Sequence, residues 1–170
     1  MKTYFIADTH FNHSNIIKYC DRPFTGVQDM NTAIIEEWNN VVKKDDIVYH
    51  LGDFAFANFK EVSDFRQQLN GKIFLVLGNH DTYNVKKYYE AGFDKVYDKP
   101  ILFNEYFLLS HQPLFLPDKL PYANIYGHVH NDSRYQTCTE NSFCVSIERL
   151  GYQPINFVEL QRRMKNVRTE

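Results

Sequence analysis

Five short apolar runs in this chain each stop at a residue able to hold a metal ion, and that coincidence restricts the possible folds more than any other feature. The runs cover residues 4–7, 47–51, 73–77, 106–109 and 123–126. Directly after them come Asp8-Thr9-His10, Gly52-Asp53, Gly78-Asn79-His80-Asp81, Ser110-His111 and Gly127-His128-Val129-His130. Apolar runs of this length, bounded by glycine and polar residues, read as buried strands. In open α/β sheets, ligands gather beyond the carboxyl ends of the strands. Five such ends would set imidazoles and carboxylates on one face. Of the seven histidines only His50 lies away from these motifs, a concentration that random placement does not produce.

Helical patterns lie between the runs. Val27, Met30, Ile34, Trp38 and Val41 step by three or four residues, with Thr25 and Gln28 expected as a capping box. A second helix is expected over residues 58–69, with Val62, Phe65 and Leu69 on one face and Asn70-Gly71 as its stop. Residues 95–103 add strand interrupted at Pro100, residues 143–147 add another, and a closing helix follows Pro154. Strands alternating with helices argue for an α/β layered fold. The 170 residues suit a single domain, residues 1–170, with no cap domain.

Composition excludes several function classes. With 19 basic against 21 acidic side chains, no nucleic-acid-binding surface is expected, so nucleic acid is not the favoured partner. The apolar runs are far too short to span a membrane. Cys20, Cys138 and Cys144 are odd in number and widely spaced, as reduced thiols in the cytosol would be. The chain enters its first strand directly after Lys2 without a signal-peptide pattern, and a cytoplasmic location is expected.

The ligand types indicate the metals. Aspartate and asparagine oxygen with neutral imidazole, and no thiolate, suit Mn²⁺, Fe, Zn²⁺, Co²⁺ or Ni²⁺. Residues i and i+2 on extended backbone point the same way, so Asp8 with His10, and His128 with His130, can each serve one centre. Asp8, His10, Asp53, Asn79, His111, His128 and His130 are too many for one tetrahedral ion and suit two ions sharing a carboxylate. Two divalent ions against two carboxylates leave a charge of about +2, which favours anionic substrates such as phosphate esters. Gly52, Gly78 and Gly127 are expected to let the backbone turn sharply at crowded strand ends.

The order DxH, GD, GNHD, H, GHxH, intact across residues 8–130, resembles the calcineurin-like metallophosphoesterase superfamily. The stretch from Asp8-Thr9-His10 through Asn12-His13-Ser14-Asn15 to Ile17, followed by Arg22-Pro23-Phe24, further resembles small bacterial and phage phosphoesterases. Those relatives often carry glycine where this chain has Asn12, and asparagine tolerates left-handed backbone. The resemblance implies a four-layer αββα sandwich of two mixed sheets flanked by helices. It also implies two divalent transition-metal ions, manganese first among them. Asp8, His10, Asp53 and His130 would hold one; Asp53, Asn79, His111 and His128 the other, with Asp53 shared and a bridging hydroxide as nucleophile. His80 would protonate the leaving oxygen or stabilise phosphoryl charge. Asp81 would orient a ring and raise its basicity, or cap the helix near residues 84–90.

Four further residues are candidate phosphate contacts: His13, Asn15, Arg22 and Arg134. Asn15 equally suits a helix cap, and the two arginines equally suit structural ion pairs. His50 reads as a hydrogen-bonded core histidine, and Tyr83 or Tyr122 could stack on a base. The expected activity is hydrolysis of small phosphodiesters, with phosphomonoesters second. A nuclease and a non-catalytic binding scaffold are the alternatives.

Overall fold

In a computed structural model describing residues 1–117 and 120–167, the apolar runs form two sheets. The first holds β1 (Thr3–Ile6), β2 (Ile47–His50), β3 (Lys72–Val76), β4 (Lys95–Tyr97) and β9 (Ile155–Asn156) in the order β4-β3-β2-β1-β9. Its first four strands are parallel, with Ile6 opposite His50 and Val48 opposite Ile73, while β9 runs antiparallel along β1. The second holds β5 (Ile101–Phe103), β6 (Phe107–Leu109), β7 (Ala123–Tyr126) and β8 (Ser142–Cys144) in that order, with β5 antiparallel and the rest parallel. Pro100 separates β4 from β5, and the break expected there sends the chain from one sheet to the other.

Period-two alternation divides the core. Tyr4, Ile6, Val48, Ile73 and Leu75 face the helices α1 (Ser14–Tyr19), α2 (Val27–Val41), α3 (Phe59–Gln68) and α4 (Val85–Glu90). The alternate residues Phe5, Ala7, Leu51 and Val76 face Leu109, Ile125 and Phe143 of the second sheet. Helix α5 (Phe157–Val167) adds Leu160 and Met164 to this second core. The result is the α/β sandwich of two mixed sheets with flanking helices. No helix among the described residues is long and apolar enough to cross a membrane.

Three local expectations are corrected. Helix α2 starts at an N-cap Gly26 without a side-chain cap, because Thr25 turns its amide and hydroxyl to Asp29 rather than to Gln28. The capping box lies at α3 instead: Asn58 accepts from the Glu61 amide at 3.0 Å and Glu61 accepts from the Asn58 amide at 2.9 Å. The strand expected to reach Ile147 ends at Cys144, and a 3-10 turn over Ile147–Leu150 takes its place.

One bridge matters for the site. Ala7 pairs in parallel with Ser146, its amide donating to Val145 O at 2.8 Å. The parallel strands of both sheets therefore run in one direction, and their carboxyl ends open on one edge.

Candidate metal centre

At that edge the five motifs interlock through backbone hydrogen bonds. The Asp8 amide donates to Gly52 O and the His10 amide to Asp53 O, each at 3.0 Å. Each carboxylate then has one oxygen fixed by a neighbouring motif: Asp8 Oδ2 accepts from the His128 amide and Asp53 Oδ1 from the His80 amide, both at 2.8 Å. The other oxygens turn inward. Asp8 Oδ1 and His10 Nε2 are buried without a hydrogen-bond partner, a costly condition unless something absent from the polypeptide satisfies them.

The ligand loops are not extended, as the i, i+2 reasoning requires. Asp8, His10, Asp53, His128 and His130 have φ of 61°, 49°, 55°, 70° and 46°. This left-handed region is sparsely populated by non-glycine residues, with aspartate, asparagine and histidine the most tolerant. Five such residues in one site are backbone strain held by the surrounding structure. The glycines also divide by role. Gly52 has φ of 92°, the turn expected of it. Gly78 and Gly127 are needed for space: a Cβ would meet the Asp53 amide nitrogen at 2.5 Å in the first case and Asp8 Oδ2 at 2.7 Å in the second.

Two groups of ligand atoms result, Asp8 with His10 and His130, and Asp53 with His111 and His128; within each, the atoms lie within 4.8 Å of one another. Asp53 Oδ2 sits 3.5 Å from His10 Nε2 and 3.4 Å from His111 Nε2, between the groups. His111 Nδ1 lies 2.8 Å from Leu51 O, which fixes its proton there and leaves Nε2 as a lone pair. That lone pair faces Asn79 Oδ1 at 2.9 Å and His128 Nδ1 at 3.1 Å. With the Asn79 and Asp53 oxygens both turned to that lone pair, acceptors converge on an acceptor, an arrangement a cation satisfies, so the ligand set fits divalent metal ions. Burial pushes His10, His111 and His128 below the ordinary imidazole range, which keeps them neutral, the ligating form. Burial also pushes the Asp8 carboxyl up to about 7 and raises Asp53, and a bound cation would return both to carboxylate.

His130 is held by a residue the motifs do not contain. Its Nδ1 lies 3.0 Å from Glu148 Oε1, which also accepts from Arg22 at 2.7 and 3.0 Å. Despite its burial, hydrogen bonds to Cys20 and Glu148 and the Asp8 and Glu148 charges raise His130 to about 10, and a bound cation would displace that proton to leave the ligating neutral ring. Arg22 also donates to Asp8 O at 2.7 Å and Thr9 O at 3.0 Å. Arg22 is therefore a buried brace under the DxH loop, not a phosphate clamp facing the cleft. Cys20, His130 and Glu148 form a third ligand-type group.

The remaining expected residues fall on both sides of the cleft wall. His80 is exposed, its ring 5.4 Å from that of His10, and His13 lies 5.1 Å from His10 and stacks on Phe56. Both line a cleft of ≈640 Å³. Asn15 is exposed on α1, neither lining that cleft nor capping the helix, whose N-cap is His13. Arg134 is exposed and bound to Asp132 at 2.6 Å, a surface ion pair. Asp81 touches no imidazole and does not cap α4, a task Asn84 performs. Its buried carboxylate accepts the amides of Asp53, Phe54 and Gly78 at 2.8–3.1 Å, bracing the GD loop. His50 is the expected core histidine, with Nε2 2.9 Å from Thr9 Oγ1.

A two-sheet sandwich with imidazoles and carboxylates converging at one edge defines a metal-dependent phosphoesterase, and residues 1–145 match the model of the calcineurin-like phosphoesterase superfamily domain. The chain belongs to that superfamily. It is 38% identical over 183 residues to the uncharacterized protein MJ1445 of Methanocaldococcus jannaschii, covering 99% of this chain and 96% of that one. It is 29% identical over 82 residues to the gene 66 protein of Mycobacterium phage L5, covering 46% of this chain and 39% of the phage protein. A crystal structure of a protein of unknown function, AQ665 from Aquifex aeolicus, superposes with a TM-score of 0.68 at 29% identity, covering 95% and 98% of the two chains.

Proposed function

We propose that this phosphoesterase is dinuclear and acts on small phosphodiesters. The observation carrying the first part is Asp53 Oδ2, poised 3.5 Å from His10 Nε2 and 3.4 Å from His111 Nε2, where one carboxylate can serve two ions. Asp8, His10 and His130 complete one position; Asn79, His111 and His128 complete the other. Divalent ions held there, Mn²⁺ being our first choice, supply an activated water nucleophile and positive charge for the phosphoryl oxygens.

The protein's own groups do the rest. The His80 amide is tied to Asp53 Oδ1, which fixes the start of its side chain beside the ligands. Its exposed imidazole donates a proton to the leaving oxygen as the bond from phosphorus to that oxygen breaks. His13, braced against Phe56, borders the same cleft and is positioned to touch a phosphate oxygen. The preference for small substrates is supported by the lining of this cleft, which among the described residues includes no lysine or arginine, because polymer affinity rests on many phosphate contacts to such residues. We assign the reaction to the cytoplasm.

The test is kcat/KM for bis(p-nitrophenyl) phosphate, p-nitrophenyl phosphate and duplex DNA with saturating Mn²⁺ at about 0.15 M salt, where nonspecific DNA affinity is already reduced. Faster turnover of the small diester is expected. Preference for the monoester moves the reading to phosphomonoesterase, and efficient DNA cleavage with the diester ignored moves it to nuclease.

A further inference from the structure

Phe56 lies three residues beyond Asp53, and its exposure is out of keeping with how firmly it is held. Its amide donates to Phe11 O at 2.8 Å, next to the isolated Phe11–Ala55 bridge, so its backbone is tied to the segment that follows the DxH motif. Its ring stacks on His13 at 4.7 Å and 22°, and His13 in turn lies against the ligand His10 at 5.1 Å. With one face covered by His13, the residue is still 57% exposed. A single exposed phenylalanine needs no explanation. This one ends a ladder of rings that begins at the metal ligands, and His80 stands edge-on to it at 6.2 Å.

Phe56 and His80 also border a second hollow of ≈410 Å³ beside the metal cleft, with Val62, Ala57 and Tyr83 on its wall. Tyr83 is fixed there by edge contacts to Phe59 at 5.8 Å and Tyr88 at 6.1 Å. Among the described residues, neither hollow is lined by lysine or arginine. The acidic residue of the second, Glu61, is occupied by the Asn12 amide nitrogen at 3.1 Å and the Asn58 backbone amide at 2.9 Å. A second phosphate would find no cation here and one carboxylate. A neutral planar ring would find an exposed aromatic face, apolar walls and polar groups on Asn58 and Thr82 for its edge.

We infer that Phe56 is the platform of a subsite for an aromatic substituent of the ester, such as a nucleobase, next to the scissile phosphate. This rests on the phosphoesterase reading above and narrows it to esters carrying a planar aromatic group. Stacking of a base on an aromatic side chain is worth about tenfold or more in affinity.

The experiment uses AMP and ribose 5-phosphate, which share the phosphate and sugar and differ in the ring. Each competes with methyl p-nitrophenyl phosphate for the Mn²⁺-loaded enzyme, and inhibition constants are read from initial rates. AMP should bind at least about tenfold tighter than ribose 5-phosphate. Phe56→Leu, which keeps apolar area and removes the ring, should bring the ratio towards one, and Phe56→Tyr should keep it. Turnover of the reporter with equal binding of the two ligands, or an unchanged ratio in Phe56→Leu, overturns the subsite while leaving the phosphoesterase reading intact. No turnover of the reporter overturns the diesterase reading instead, and calorimetric titration of AMP and ribose 5-phosphate then still decides whether the ring is bound.

Discussion

The two halves of the metal centre are built differently. Around Asp8, His10 and His130, support comes from a buried ionic chain: Arg22 grips the Asp8 and Thr9 carbonyls, Glu148 accepts from Arg22, and His130 leans on Glu148. Around Asn79, His111 and His128 the support is single hydrogen bonds: His111 bonds the Leu51 carbonyl, the His128 amide bonds Asp8 Oδ2, and Asn79 is half-buried. Partners that hydrogen-bond a ligand fix its orientation and basicity. The first half is thus preorganised by a buried ionic chain, whereas the second is held by isolated hydrogen bonds. Tight retention of metal is expected in the first and easier exchange in the second.

The most damaging test removes what the halves share. Asp53→Asn should lower turnover about a thousandfold, near 4 kcal/mol of barrier, and elemental analysis should find less metal at both positions. Retention of both ions would mean that Asp53 bridges nothing. Next, His80→Asn should cost about a hundredfold in turnover, as loss of a general acid does, with metal content near wild type. Metal loss in that variant would move His80 into the ligand set.

Glu148→Gln sharpens the contrast itself. It should weaken metal binding in the first half by about 10–100-fold and leave the second unaltered, whereas Asn79→Ala should do the reverse. Calorimetric titration resolving two binding steps checks this, and an equal effect of Glu148→Gln on both steps would dissolve the distinction.

The smallest effect concerns acid. His50 lies beneath the first half, and its buried Nδ1 has no partner, so burial pushes its pKa down to about 3. A folded pKa below the unfolded value means the unfolded chain binds more protons between about pH 6.5 and pH 3, and stability falls as pH drops through that window. At about pH 5.5 His50 accounts for about 1.4 kcal/mol of that fall. Urea unfolding of His50→Gln, under the same metal conditions, should therefore show a shallower loss between about pH 7.5 and pH 5.5.

Much of this was readable in the chain because strand-end chemistry is local. An apolar run followed by Gly52-Asp53 or Gly127-His128 carries both its burial and its ligand in adjacent letters. The amphipathic spacing from Val27 to Val41 likewise gave α2 in full. What stayed hidden depends on distant partners. Arg22 and Glu148 are 126 positions apart, and nothing near either one distinguishes a brace from a phosphate clamp. The two-residue strand β9 carries too little pattern to see. Backbone handedness is hidden for another reason: Asp-x-His reads as alternation, and the positive φ of Asp8 and His10 shows only in the folded chain.

That handedness also limits how the site can change over generations of mutation. At Asp8, His10, Asp53, His128 and His130 a replacement must suit the ion and also tolerate positive φ. Glutamate or cysteine satisfies the first demand and not the second, so each would lose the loop along with the ligand. Aspartate, asparagine and histidine satisfy the second, and exchanges among them alter charge while the loop persists. A descendant that abandoned catalysis by drift would therefore keep the same backbone edge, with asparagine where an aspartate stood.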